Sequence, residues 1–181
     1  RRSSDLEACL WYDQKITYTA KDLTYRGRVV YQLRRRFPRA TVTPIEAYKG
    51  GRTLGYGVEQ LEKVVLPHEP DLVVIAFGAN DAHSSVGGKP KNPPESFERD
   101  MSRMVQRAQD AGCEVMIVIQ MGFNPWQKNN IDERFPAYRQ AMLNVGKQHD
   151  VAVADVYTEW QNLATRGIPP YSQLHNWINH P

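Results

Sequence analysis

Short apolar blocks alternate along the chain with longer stretches in which apolar residues recur every three to four positions. The blocks predict strands and the periodic stretches predict amphipathic helices, because side chains repeat every second residue in a strand and about every 3.6 residues in a helix. The predicted strands cover residues 10–12, 41–45, 72–77, 115–119 and 151–154. A predicted helix follows each strand, with apolar stripes within residues 25–37, 54–65, 97–108, 135–145 and 156–163.

Prolines and one capping signal set the predicted helix boundaries. Pro38 ends the first helix and Pro67 ends the second. The run Asn92-Pro93-Pro94-Glu95 predicts the start of the third helix, with the Asn92 side chain as its cap and Pro in its first turn.

The regular alternation of strand and helix predicts an α/β fold with a parallel sheet covered by helices on both faces. Residues 72–77 and 115–119 are continuously apolar, which predicts strands that are buried on both faces. With 181 residues, no internal repeat and no linker, residues 1–181 are predicted to form one domain. In such folds the ligand binds outside the carboxyl ends of the strands, so the loops there are searched for chemistry.

The composition narrows the class of protein. Hydrophobic residues make up 41% and charged residues 24%, which excludes a disordered or fibrous chain. The net charge of +3 does not indicate a nucleic-acid partner, and no run of eighteen apolar residues predicts a membrane span. Two cysteines, Cys9 and Cys113, are expected to be buried free thiols. The chain begins without Met and ends at Pro181, and as a trimmed mature domain it would be secreted or periplasmic.

Polar or glycine-containing segments follow two predicted strands and end the chain. After the third strand, Asn80 either aims its amide into the cleft as an oxyanion donor or forms a strand-ending Asx-turn. After the second, the pair Gly50-Gly51 either lets backbone N–H groups approach a ligand closely or makes a plain strand-to-helix turn. Near the C-terminus, residues 175–181 contain two histidines, and a His in a loop after the last strand is a candidate general base.

Other ligand classes are not indicated. No His or Cys spacing matches a zinc site. A nucleotide- or flavin-binding protein of similar fold would need a glycine-rich phosphate loop after the first strand, and none is present. We therefore expect neither a metal nor an organic cofactor.

Three segments resemble the conserved blocks of the SGNH (GDSL-type) hydrolases. Residues 50–53 resemble the second block, residues 70–81 the third and residues 176–181 the last, in family order over nearly the whole chain. The resemblance implies a flavodoxin-like three-layer α/β/α sandwich with a five-stranded parallel sheet. It also implies ester hydrolysis by a nucleophilic Ser, with His180 as base and with Gly51 and Asn80 as oxyanion donors.

The first block departs from the family pattern, because Asp13-Gln14-Lys15 stands where Gly-Asp-Ser is expected. Lys15 does not replace the Ser chemically, since attack by an amine would leave a stable amide. Three explanations are open: a catalytically disabled relative, recorded residues that differ from the natural ones, or another nucleophile such as Thr17 or Thr19. Asn176 stands near the place of an Asp that orients the His in many relatives.

The resemblance therefore predicts an esterase that acts on short acyl groups, such as acetyl esters of carbohydrate. Asp81 and Trp126 are the predicted substrate contacts, and Trp126 would either stack on a sugar ring or pack in the core. The alternative is a glycan- or acyl-binding module without turnover. The expected partner is a small-molecule or carbohydrate ester, and the sequence does not fix the oligomeric state.

Overall fold

The computed structural model describes residues 25–83, 89–122 and 131–169. They fall into two compact units, residues 25–50 and residues 51–169, which are described separately. The predicted first strand, at residues 10–12, lies outside the described residues.

The first unit contains the predicted first helix but not the predicted second strand. Helix α1 is Tyr25–Arg36, and Pro38 follows it as predicted. Residues 41–45 form no strand, so that prediction is wrong. Their β-branched side chains favour extended backbone, but a strand needs a ladder partner. The Arg34 guanidinium takes one of the segment's carbonyl oxygens instead, since it donates to the oxygen of Val42 at 2.9 Å.

The second unit is built on three parallel strands in the order β1-β2-β3. They are β1 Leu72–Ile75, β2 Glu114–Ile119 and β3 Ala152–Asp155. These strands confirm the third, fourth and fifth predicted strands and the parallel α/β class. The five-stranded sheet is not confirmed, because the described residues contain three strands.

Five helical segments accompany this sheet. Helix α2, Leu54–Gln60, continues through a π-helical turn, Leu61–Val65, and a 3₁₀ turn, Leu66–His68, that contains Pro67. A single helical turn, α3, spans Ala79–Ala82 and was not predicted. The remaining three confirm predicted helices and are α4 Pro94–Asp110, α5 Ile131–His149 and α6 Val156–Thr165. No described helix is long and apolar enough to cross a membrane.

Helices α4 and α5 pack against each other and against β2, and their predicted apolar stripes form the centre of the core. The Phe97 and Tyr138 rings meet edge to face there, with centroids 5.2 Å apart. Burying each such side chain contributes roughly 1.5–3 kcal/mol. The buried stripe residues are Phe97, Met101, Met104, Val105 and Ala108 on α4, and Phe135, Tyr138, Met142 and Val145 on α5.

The two faces of β1 are not equally buried, contrary to the prediction. Val73 and Ile75 are buried in the core, whereas Leu72 and Val74 on the opposite face are 41% and 46% exposed. The prediction that this strand is buried on both faces is therefore wrong. A continuous apolar run shows that both faces can be covered, but it does not specify what covers them.

Candidate functional site

The site begins where β1 ends, at a bend that only glycine can make without strain. Gly78 precedes α3 and has φ +123°, a backbone conformation that other residues rarely adopt. A Cβ there would also lie 3.3 Å from the ring of Phe135 and 3.4 Å from the methyl group of Met142. The bend turns the chain into α3, which carries Asn80 and Asp81.

Among the described residues, Asp81 is the one charged side chain that is fully buried. Its carboxylate accepts hydrogen bonds from the backbone N–H of Leu54, at 3.0 and 3.2 Å to its two oxygens, and from the N–H of Gly78 at 3.2 Å. The side-chain amide of Asn92 donates to it at 3.1 Å. Burial disfavours the charged form and raises the pKa of Asp81, although these hydrogen bonds oppose the shift.

The Leu54 hydrogen bonds join the two segments that were predicted to supply oxyanion donors. Leu54 is the first residue of α2, and its N–H is one of the donors that a helix start leaves without a helical partner. The side chain of Thr53 does not cap this helix, and Asp81 takes the N–H instead. Gly51 lies three residues before Leu54, and Asn80 is the neighbour of Asp81.

The predicted donors themselves are accessible to different degrees. Gly51 is exposed and has φ +73°, and nothing lies within 4 Å of where its Cβ would be. Asn80 is half-buried on α3. The structure therefore places both residues on segments held by Asp81, and both remain within reach of solvent.

Asn92 and Tyr138 were not predicted as site residues. Asn92 does not cap α4, so that prediction is wrong: Pro93 occupies the cap position, and the Asn92 side chain is turned to Asp81. The Asn92 N–H also donates to the carbonyl oxygen of Asp81 at 3.2 Å. The Tyr138 hydroxyl donates to the carbonyl oxygens of Asn92 and of Asp81, the latter at 3.4 Å.

A second polar group lies at the carboxyl end of β3. The Asp155 carboxylate accepts from the Thr158 N–H at 3.1 Å, which caps α6, and from the Arg139 guanidinium at 2.6 Å. Burial alone would raise the pKa of Asp155, but the hydrogen bonds from Arg139 and Thr158 outweigh it and lower the pKa. These contacts indicate a structural role for Asp155, which joins the start of α6 to α5.

Four predicted site residues lie outside the described residues, and their roles stay predictions: Lys15, Trp126, Asn176 and His180. The described residues contain no group of three or more His, Cys, Asp or Glu side chains that could hold a metal ion. Cys113 is buried and free as predicted, whereas Cys9 is not described.

The sequence model of the GDSL-like lipase/acylhydrolase family matches residues 12–181. The chain belongs to this family. It is 34% identical over 77 residues to an arylesterase of Vibrio mimicus, a match that covers 42% of this chain and 36% of that protein. The chain thus matches about a third of the length of this curated relative.

Solved structures show the same fold. A lipase/acylhydrolase from Enterococcus faecalis has a TM-score of 0.71 and 22% identity, and the match covers 86% of this chain and 75% of that one. An acetylxylan esterase from Geobacillus stearothermophilus has a TM-score of 0.72 and 16% identity, with coverage of 87% and 73%. The family match and these folds confirm the resemblance to the GDSL-type hydrolases that the sequence blocks indicated.

Proposed function

We propose that this protein hydrolyses carboxylic esters of short acyl groups. The observation that carries the proposal is the hydrogen bonding of the buried Asp81 carboxylate to Leu54 and Gly78. It ties the segment of Gly51 to the turn that carries Asn80, and these residues are two of the oxyanion donors that the family resemblance implies. A family match over residues 12–181 supports the same reaction.

The proposed mechanism assigns each group a task. The Gly51 N–H and the Asn80 amide would donate to the oxygen of the substrate carbonyl as it becomes negative in the transition state. His180 would take the proton of the nucleophile and then pass it to the leaving alcohol. Asn176 would orient His180, and the nucleophile would stand at position 15.

The proposed substrate class is acetyl esters of carbohydrate. One structural relative is named as an acetylxylan esterase, and the curated relative as an arylesterase. Trp126 would provide a flat apolar surface for a sugar ring. The contact between Asp81 and substrate stays a prediction. In the structure the Asp81 carboxylate accepts hydrogen bonds from Leu54 and Asn92.

Lys15 favours a second candidate function, a module that binds acylated glycans without cleaving them. A Lys amine that attacked an ester would retain the acyl group as an amide, and the site would stop after one turnover. A disabled site would still recognise the ester carbonyl through Gly51 and Asn80. The two candidates therefore differ in turnover and agree on the residues that contact the carbonyl.

The test compares hydrolysis of p-nitrophenyl acetate and acetylated xylo-oligosaccharides by two backgrounds. One is the chain as given, and the other, the restored background, carries Asp13→Gly, Gln14→Asp and Lys15→Ser. Each is measured alone, with Asn80→Ala, and with the matched control Asn144→Ala, whose amide makes an exposed contact to Glu98. Circular dichroism confirms that every variant is folded.

Turnover by the original chain, or by the restored background when the original chain binds no ester, supports the esterase if it falls about 100-fold to 1,000-fold in Asn80→Ala and not in Asn144→Ala. Turnover only in the restored background, together with ester binding by the original chain, supports the binding module as the function of the chain as given. No turnover in either folded background refutes the esterase. If no binding that depends on Asn80 is found as well, both candidates are refuted.

A further inference from the structure

Asn80 lies on a helical turn that is not stable by itself. Helix α3 is a single turn of four residues, and an isolated turn is unstable because nucleation costs more than one hydrogen bond returns. Its position must therefore come from contacts outside the turn. Those contacts decide how accurately the Asn80 amide is placed relative to the Gly51 segment.

The segment that precedes α4 supplies several of these contacts. The Asn92 side-chain amide donates to Oδ1 of Asp81 at 3.1 Å, and the Asn92 N–H donates to the carbonyl oxygen of Asp81 at 3.2 Å. One residue earlier, the Lys91 N–H donates to the carbonyl oxygen of His83 at 3.0 Å. The segment before α4 thus runs along α3 and is bonded to it and to the residue that follows it at three points.

Asn92 is itself held from both sides. Pro93 follows it, and a residue before proline is restricted to extended backbone, which limits the conformations that Asn92 can adopt. The Tyr138 hydroxyl donates to its carbonyl oxygen from α5, and the Tyr138 ring is fully buried against Phe97. Asn92 is therefore a rigid donor rather than a mobile surface amide.

We infer that Asn92 is a positioning residue for ester hydrolysis, which holds the Asp81 carboxylate on the Leu54 N–H and so fixes the Asn80 donor relative to Gly51. The inference rests on the proposed function. Asn92 touches no reacting atom in this scheme. It acts on the transition state because a donor displaced by about 1 Å loses much of its effect.

The test uses Asn92→Leu, which keeps the approximate shape and donates nothing from its side chain, with Asn144→Leu as the matched control. Both are made in whichever background, original or restored, hydrolyses p-nitrophenyl acetate. We expect kcat to fall about 10-fold to 100-fold in Asn92→Leu with KM within about twofold, because the lost geometry matters only in the transition state. Asn144→Leu should keep both constants.

A second readout does not need activity. Native-state hydrogen exchange of the Leu54 N–H should be roughly tenfold faster in Asn92→Leu, the factor that a lost hydrogen bond of ordinary strength produces. Unchanged Leu54 exchange overturns the inference. Faster exchange with unchanged kcat also overturns it, because Asn92 would then be structural only.

A third variant separates positioning from general loss of packing. Asn92→Asp places a second carboxyl group against Asp81, and two such groups share one proton at low pH, which restores a donor. The kcat of Asn92→Asp relative to Asn92→Leu should therefore rise as the pH falls. Arg134 and Glu95, the charged groups that act on the neighbouring Tyr138, are present in both variants; they set the pH at which the ratio rises and not whether it rises. A ratio that does not change with pH overturns the inference.

Failure of the proposed function can be distinguished from failure of the inference about Asn92. A parent that hydrolyses no ester in either background refutes the esterase and, with it, the catalytic part of this inference. In that case the exchange of the Leu54 N–H alone shows whether Asn92 holds the two segments together.

Discussion

Replacing Asp81 with Ala removes the one acceptor that joins α2, α3 and the segment before α4. Two buried donors, the N–H groups of Leu54 and Gly78, lose their partner, and so does the half-buried side-chain amide of Asn92. Each unsatisfied buried donor costs about 1–3 kcal/mol, so the two N–H groups account for a gross loss of roughly 2–6 kcal/mol, to which Asn92 adds less because water reaches it. Part of it is offset, because the variant no longer buries a carboxylate.

We therefore expect Asp81→Ala to lower the free energy of unfolding by about 3–5 kcal/mol. In a protein of this size that corresponds to a Tm lower by roughly 6 to 20 °C. Urea denaturation followed by circular dichroism measures the change, and comparable m-values show that the unfolding transition itself is the same.

The matched control is Asp110→Ala. Asp110 ends α4 and is exposed, and its carboxylate accepts from the Gln106 amide at 2.8 Å. Such a contact is worth less than about 0.5 kcal/mol. If Asp81→Ala and Asp110→Ala differ by less than about 1 kcal/mol, the buried carboxylate does not hold these segments together and the reasoning is refuted.

Four further outcomes are expected. Because burial raises the pKa of Asp81 above its ordinary 3.8, the part of its stability contribution that depends on pH is complete below that value and is lost as the pH rises through the folded-state pKa, whereas its hydrogen bonds to the neighbouring donors remain. Urea titrations of Asp81→Asn should lack this loss, and a parallel pH dependence in parent and variant would contradict the assignment. Gly78→Ala should lower the free energy of unfolding by about 2–4 kcal/mol, because the added Cβ brings both backbone strain and crowding. Gly112→Ala is the control, since Gly112 has φ +85° but open space around it and therefore reports strain alone. Equal losses of stability in the two variants would exclude crowding at Gly78. Asp155→Ala should cost about 1–3 kcal/mol near neutral pH, and because the pKa of Asp155 is lowered this difference should shrink below pH 3.8; a difference that persists in acid would contradict the assignment. Burial raises the pKa of the Cys113 thiol, so thiol reagents should label Cys113 only at the rate of unfolding, and rapid native labelling would contradict its burial.

The sequence predicted the elements whose pattern is periodic or whose ends are marked. The apolar stripes of α4 and α5 are present in the sequence at helical spacing, and both helices form where predicted. Residues 115–119 became β2 because an apolar run of that length fits a strand within a parallel sheet. Helix α3 has four residues, too few to show any period, and was missed.

The errors arise where a long-range contact overrides a local signal. Residues 41–45 have strand-forming side chains, but no described strand pairs with them. Asn92 has the sequence of a helix cap, yet its side chain donates to Asp81, eleven residues away in sequence. No local pattern specifies which of several possible partners a polar side chain takes.

The sequence also could not specify the hydrogen-bond partners within the candidate site. The sequence blocks predicted Asn80 and Gly51 as oxyanion donors, and the neighbouring Asp81 was predicted to contact substrate. The partner that gives Asp81 its structural role, the Leu54 N–H, is 27 residues away. Backbone donors carry no sequence signature, so this contact had to come from the folded structure.

A buried carboxylate at this position needs an explanation beyond stability. An apolar side chain of similar volume would avoid the desolvation that raises the pKa of Asp81, but it would leave three donors from three segments unsatisfied. A neutral amide at position 81 would have to present its own N–H to at least one of those donors. A carboxylate accepts from all of them at once, and at 3.0–3.2 Å these hydrogen bonds link α3, the start of α2 and the segment before α4. They restrict the position of α3 relative to the start of α2, and the proposed mechanism needs that restriction because Gly51 and Asn80 would have to reach the same developing oxyanion.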